Sequence, residues 1–163
     1  MRVAAVIVAG GSGLRAGGEA PKQYQLIGGR PVLWWTLKAF SEHPGISMVQ
    51  TVIGDGHQEM FERASDGLRV LAPVAGGSTR QASCRAGIEA LERHRPDRIL
   101  VHDAARPFAS RDLISHVIAW VDRFPAVVPG LPVGDTLKLA PGGIVKSTID
   151  RTAMWAAQTP QGF

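Results

Sequence analysis

Arg15 and Lys22 are the two side chains best placed to do chemistry, because they flank a stretch in which side chains are otherwise nearly absent. VIVAGGSGLRAGGEAPKQYQLIGG, residues 6–29, starts as an apolar run, breaks into glycines, and brings the two cations to either side of Gly17-Gly18 and Pro21. Glycines leave backbone N–H groups bare, and a bare backbone next to fixed positive charge suits an anion, a polyphosphate in particular. Gly11-Ser12-Gly13-Leu14-Arg15-Ala16 formally matches the dinucleotide fingerprint G-x-G-x-x-G/A. A nicotinamide site also needs an acidic residue about 20 positions on, at the end of the second strand. Here that strand ends much later, at Ile53-Gly54-Asp55. The P-loop alternative lacks the Gly-Lys-Ser/Thr that should follow the glycines. A third kind of phosphate-binding loop remains. Plainer roles stay open residue by residue: Gly10, Gly11 and Gly13 as a tight turn, Arg15 as a solvated cation, Lys22 paired with Glu19.

A second group of candidates follows the apolar run Arg98–His102, where Asp103 and Arg106 sit in DAARP. A carboxylate at the carboxyl end of a strand suits a magnesium or ribose ligand, or a cap bonded to backbone N–H groups. Cys84 lies on a helix with no histidine placed to activate it, and reads as packing. The five histidines show no metal-ligand spacing. The four tryptophans read as core or interface.

These residues need elements to hold them. Val3–Val8 is continuously apolar, as a buried parallel strand is, and Pro31–Phe40 reads as a helix with proline in its first turn. Met48–Ile53 is the next strand, followed by a helix over His57–Ala64 and a short strand at Arg69–Leu71. Gly76-Gly77 opens a helix over Ser78–Arg93, Arg98–His102 is a strand, Ser110 caps a helix to Asp122, and Ala126–Pro129 reads as a short strand. The alternation predicts an α/β, Rossmann-like, mostly parallel sheet flanked by helices, with ligands at the carboxyl ends of its strands. The loops after Val8, before Ser78 and after His102 should therefore converge. Over Thr136–Asp150, β-formers on both sides of Pro141-Gly142-Gly143 predict a projecting hairpin arm, at about 132–152.

At 163 residues, 45% of them hydrophobic, the chain suits one globular domain. The net charge of +4 comes from 18 basic residues spread singly against 14 acidic ones. A nucleic-acid surface wants a concentrated basic patch with aromatics for stacking, so no nucleic-acid partner is expected. No apolar stretch reaches the roughly 20 residues of a membrane span, and the N-terminal run is too short for a signal peptide, so a cytoplasmic protein without a membrane partner is expected.

Taken in order, A-G-G-S-G-x-R-x-x-x-x-x-P-K-Q-Y from Ala9, G-G-S-T-R-Q-x-S from Gly76, V-H-D-A-A-R-P from Val101, P-V-x-D-T-x-K from Pro132, D-R from Asp150 and Q-T-P-Q-x-F from Gln158 resemble the 2-C-methyl-D-erythritol 4-phosphate cytidylyltransferase family along the whole chain. The resemblance implies an enzyme of non-mevalonate isoprenoid synthesis that transfers CMP from CTP to 2-C-methyl-D-erythritol 4-phosphate with a divalent cation such as Mg2+, and releases pyrophosphate. It implies nucleotide contacts from Ala9, Gly10, Gly11, Ser12 and Gly13, and charge stabilisation at the α-phosphate by Arg15 and Lys22. Gly77, Ser78 and Ser83 would recognise cytosine, and Asp103 and Ala104 would lie by ribose and metal, with Asp103 the metal ligand. Arg106, Thr136 and Arg151 would hold the sugar phosphate, the last two from an arm that hooks a second copy in a homodimer. The form G-G-x-x-R-Q-x-S resembles the transferase half of bifunctional enzymes fused to a cyclodiphosphate synthase. The family pattern continues past Gln-Thr-Pro-Gln-Gly-Phe, so residues 1–163 are expected to be a nucleotidyltransferase domain incomplete at its C-terminus. Two other readings stay open: a related nucleotidyltransferase acting on another sugar or alditol phosphate, and an inactive CTP-binding fragment.

Overall fold

The computed structural model describes residues 1–11 and 20–163. The first strand, β1 (Val3–Ala9), is almost wholly buried on both faces, which is why its sequence shows no alternation. Leu26–Ile27 (β2) and Arg30–Pro31 (β3) then form a small hairpin. It turns on Gly28 and Gly29, whose φ angles of 57° and 78° favour glycine. Helix α1 (Val32–Ser41) follows, then β4 (Met48–Ile53), α2 (Gln58–Ser65), β5 (Val74–Ala75), α3 (Arg80–Ala90), β6 (Arg98–Asp103) and α4 (Arg111–Val121). Ser110 caps α4 as the sequence predicts, its Oγ accepting from Leu113 N–H at 3.2 Å. The chain then runs through β7 (Gly130–Pro132), β8 (Lys138–Leu139), β9 (Ser147–Thr148), β10 (Trp155–Ala157) and β11 (Gln161–Gly162).

The central sheet has the order β11-β6-β1-β4-β5, parallel except for β11. From β1 the chain winds outward to β4 and β5, then returns to place β6 on β1's other side. The reversal puts a topological switch point between β1 and β6, at whose carboxyl ends a crevice opens. On one face, β1 residues Val3, Ala5 and Ile7 pack with Leu33, Leu37 and Phe40 of α1, Phe61 of α2, and Ile114 and Val117 of α4. On the other, Ala4 and Val6 pack with Val52, Leu91 and Val101 beneath α3, and half-buried Cys84 packs at its edge. Burial pushes the Cys84 thiol up from its ordinary pKa, in keeping with a packing role.

Two expected strands need correction. The strand expected at Arg69–Leu71 forms at Val74–Ala75: Leu71 N–H does reach the Val49 carbonyl at 2.9 Å, but Pro73 interrupts the ladder. Ala126–Pro129 is no strand, since Pro125 and Pro129 bracket it; Val127 makes one isolated bridge to Gly162, and the strand starts at Gly130. None of the tryptophans is in the core. Trp34 and Trp35 are half-buried, and Trp120 and Trp155 are exposed. The Trp34 ring instead receives the Arg30 and Lys38 cations at 5.0 and 5.5 Å. The arm is longer than the hairpin pattern alone indicated. β7 and β10 pair antiparallel as its base, β8 and β9 as its tip, and no residue from 130 to 157 is buried.

Candidate functional site

The site grows from the carboxyl ends of β1, β4 and β6. Register pairs Ala9 with Ile53 and Val8 with Asp103, so the three strands end level and their loops start together. A Cβ on Gly10 would lie 3.3 Å from Ser83 Oγ and 3.8 Å from Gly76 Cα, so the loop after β1 packs closely against the loop before α3. Gly76 N–H donates to the Ile53 carbonyl at 2.8 Å, which ties that second loop to β4. Ser83, buried in α3, accepts from Gly77 N–H at 3.1 Å and donates to the Thr79 carbonyl at 3.0 Å. Its hydroxyl is thus engaged with the loop backbone, while Ser78 stays exposed. Gly77 permits the turn's tightness: a Cβ there would meet Ala82 Cβ at 2.5 Å.

Ser12, Gly13 and Arg15 lie outside the described residues. Both flanks of that segment are described, and a residue the sequence reading left without a role joins them. Gln23, buried at 3% exposure, donates from Nε2 to the carbonyls of Ala9 at 2.8 Å and Gly11 at 2.9 Å. It belongs to the single 3-10 turn Lys22–Tyr24, in which Lys22 faces a cavity and Tyr24 is buried. Tyr24 meets the His57 ring edge-on at 5.3 Å, and burial raises its hydroxyl pKa to about 12.

The turn after β6 is held from several sides. Buried Thr36 of α1 donates to the Ala104 carbonyl at 2.7 Å. His102, fully buried, has Nε2 at 2.9 Å from the Arg106 carbonyl, an acceptor, so this nitrogen carries the proton. Burial lowers the His102 pKa to about 4, outweighing the bond to Arg106 and the nearby Asp103 charge. The ring is therefore a neutral donor at ordinary pH.

On that turn, Asp103 is a hub of charge and not a cap on backbone N–H groups. Arg80 of α3 donates to Oδ1 from Nε at 3.1 Å and Nη2 at 2.9 Å, and Arg106 Nε donates to Oδ2 at 3.2 Å. Arg106 also bonds the Gln158 side chain. Pairs this exposed add at most about 1 kcal/mol each to stability, so what they mainly do is place charge. A carboxylate offers about four lone-pair sites. Three guanidinium bonds leave one on Oδ2, enough for a shared cation but not for a cage, and no cluster of three or more His, Cys, Asp or Glu suited to metal occurs among the described residues. That donor set fits magnesium, which takes one or two carboxylates and completes its shell with substrate phosphates and water.

Lys22, Arg106, Gln158 and Thr159 line a cavity of about 710 Å3 together with the apolar side chains of Ile27, Val32, Phe108 and Leu131. Two cations in a half-apolar recess suit a small phosphorylated molecule with a carbon skeleton. Thr136 and Arg151 do not line it. Both are exposed on the arm. Sequence reasoning passed over Arg80, Gln23, Thr36 and Gln158. Arg80, Gln23 and Gln158 all stood inside motifs quoted for other residues; Thr36, in mid-helix, carried no signal.

A family model for 2-C-methyl-D-erythritol 4-phosphate cytidylyltransferase, IspD, matches residues 3–163. A protein of Bradyrhizobium diazoefficiens described as bifunctional enzyme IspD/IspF is 50% identical across 99% of this chain, which covers 41% of that protein. The chain thus spans about two-fifths of the length of such relatives. Among solved structures, 4-diphosphocytidyl-2C-methyl-D-erythritol synthase from Anaerococcus prevotii superposes with a TM-score of 0.83 at 30% identity, covering 99% of this chain and 69% of that one. The 2-C-methyl-D-erythritol 4-phosphate cytidylyltransferase of Thermus thermophilus gives 0.74 at 36% identity, covering 100% and 70%.

Proposed function

The chain belongs to the 2-C-methyl-D-erythritol 4-phosphate cytidylyltransferase family, and from that premise we propose that the crevice between β1 and β6 transfers CMP from CTP to 2-C-methyl-D-erythritol 4-phosphate. The observation that carries this reading is that Lys22 and Arg106, from loops after different strands, face one recess at the sheet's switch point. CTP would lie over Ala9–Gly13, with its base against the Gly77–Ser83 loop and its ribose by Asp103 and Ala104. The sugar phosphate would occupy the recess, with its phosphate toward Arg106 and its carbons against the apolar side chains.

In the reaction an oxygen of the sugar phosphate attacks the α-phosphorus of CTP. A new P–O bond forms there as the bond to the β-phosphate oxygen breaks, and pyrophosphate leaves with that electron pair. The attacking oxygen is already anionic at neutral pH, so no general base is needed. The obstacle is repulsion between two phosphorylated molecules, which Lys22 and Arg15 offset most strongly as charge builds on the α-phosphate. Asp103 would help hold magnesium, whose charge would offset that of the phosphates. Thr136 and Arg151 would come from a second copy whose arm docks here, which makes a homodimer the working unit. Because it consumes CTP, the reaction belongs in the cytoplasm. The bifunctional relatives support fusion to a cyclodiphosphate synthase as the wider setting.

Replacement of the cations tests the reading. Lys22→Ala should lower the rate of CTP-dependent pyrophosphate release by about 10²–10³-fold, and Arg106→Ala should chiefly raise the KM for the sugar phosphate. Full activity in both variants would remove the chemistry from this recess. A panel of ribitol, erythritol and methylerythritol phosphates, assayed alongside, decides the acceptor.

A further inference from the structure

We propose that Gln23 is a positioning residue that holds the Ala9–Gly11 backbone at the end of β1 against the turn carrying Lys22; this rests on the reading of that backbone as part of a nucleotide site. Its amide donates to two carbonyls on one flank of the loop, Ala9 at 2.8 Å and Gly11 at 2.9 Å, from a place on the other flank. It is buried at 3% exposure, where an unmet amide would be costly, so both bonds are held firmly.

Geometry gives the clasp its function. A peptide unit is planar and trans, so its carbonyl and the next N–H point in opposite directions. With the Ala9 carbonyl turned to Gln23, the N–H of Gly10 is turned away from it. Gly10 also fits closely beside Ser83 and Gly76 of the second loop. The same clasp orients the neighbouring cation. Lys22, Gln23 and Tyr24 make one 3-10 turn, whose three residues per turn send successive side chains about 120° apart. Lys22 faces the recess while Gln23 faces the end of β1, so a fixed Gln23 fixes where Lys22 starts. One side chain thereby sets the register between backbone donors and charge, the two parts of an anion site.

The test uses Gln23→Met, which keeps shape without donors, and Gln23→Glu, which keeps shape and regains one donor only when protonated. CTP titration and thermal unfolding are measured on each beside the unsubstituted chain. The expected result for Gln23→Met is at least tenfold weaker CTP binding. Buried against carbonyls, the carboxyl of Gln23→Glu has a raised pKa. Its CTP affinity relative to the unsubstituted chain should therefore recover as pH falls from about 8 to about 5.5. Unchanged CTP affinity in Gln23→Met, with or without a lower Tm, would overturn the proposal, as would a Gln23→Glu ratio flat with pH. If Gln23→Met does not fold, the pH arm decides alone. An unsubstituted chain that fails to bind CTP would remove the nucleotide reading, and a Gln23→Met Tm equal to that of the unsubstituted chain would then remove the clasp as well.

Discussion

Charge and hydrogen bonding at single residues carry most of the chemistry. Asp103 shows how: two guanidiniums, from α3 and from its own turn, hold it at the mouth of the crevice. Because these groups are exposed, Arg80→Leu should cost less than about 1 kcal/mol in stability while weakening CTP binding, and a loss of stability with intact binding would reverse that assignment. His102 makes a separate prediction. Its folded pKa, about 4, lies below the ordinary 6.5, so between those values the unfolded chain binds more protons and stability rises with pH. The loss should appear as pH falls from 6.5 towards 4 and amount to roughly 3 kcal/mol at full extent, from about 1.4 kcal/mol per pH unit. His43, also lowered by burial, acts in the same direction. Chemical denaturation across pH should show this slope, and His102→Gln should flatten it. Sequence made Lys22, Asp103 and Arg106 legible as charged groups after glycines or strands. It could not show that Gln23 reaches back 14 positions to Ala9, because a glutamine's partners depend on tertiary approach.

Elements set the distances over which those residues act. Helix α3 crosses β1 and β4 at Gly87, where an added Cβ would stand 2.5 Å from Val6 Cγ1 and 2.7 Å from Val52 Cγ2. Glycine mid-helix ordinarily weakens a helix, so its presence here follows from close packing against two buried strands. Gly87→Ala should therefore destabilise by about 1–3 kcal/mol despite the better helix propensity, measured by urea denaturation; a gain in stability would contradict the packing. The same approach brings Ser83 and Arg80 to the crevice. Long elements were readable from apolar runs and caps: β1, β4, β6, α1 and α4 lie within a residue or two of their predicted positions. Two-residue strands were not. β5 depends on where Pro73 lets pairing resume, and β11 contains a glycine and joins the sheet only because Val101 and Leu100 offer it an edge.

At the scale of the whole molecule, the arm carries Thr136 and Arg151 outside the lining of the recess. The sheet reversal at β1 and β6 fixes one crevice, and the alternation of strands and helices was enough to forecast it. The arm was legible through its turn and β-formers, but its base at β7 and β10 was hidden by short, proline-bounded segments. Leu131, Met154 and Trp155 are exposed on that base, Trp155 at 63%. In the proposed dimer these side chains meet a second copy. Trp155→Glu should then shift the mass in solution from dimer to monomer by light scattering, with a matching rise in the KM for the sugar phosphate; a monomer before substitution would refute the shared site. The most direct measurement of the account is phosphorus NMR of the chain with CTP and magnesium, with and without 2-C-methyl-D-erythritol 4-phosphate. Pyrophosphate and a new diphosphate ester should appear in equal amounts, only when the sugar phosphate is present, and be lost in Lys22→Ala. Folded protein that binds CTP yet forms no diphosphate ester would contradict it.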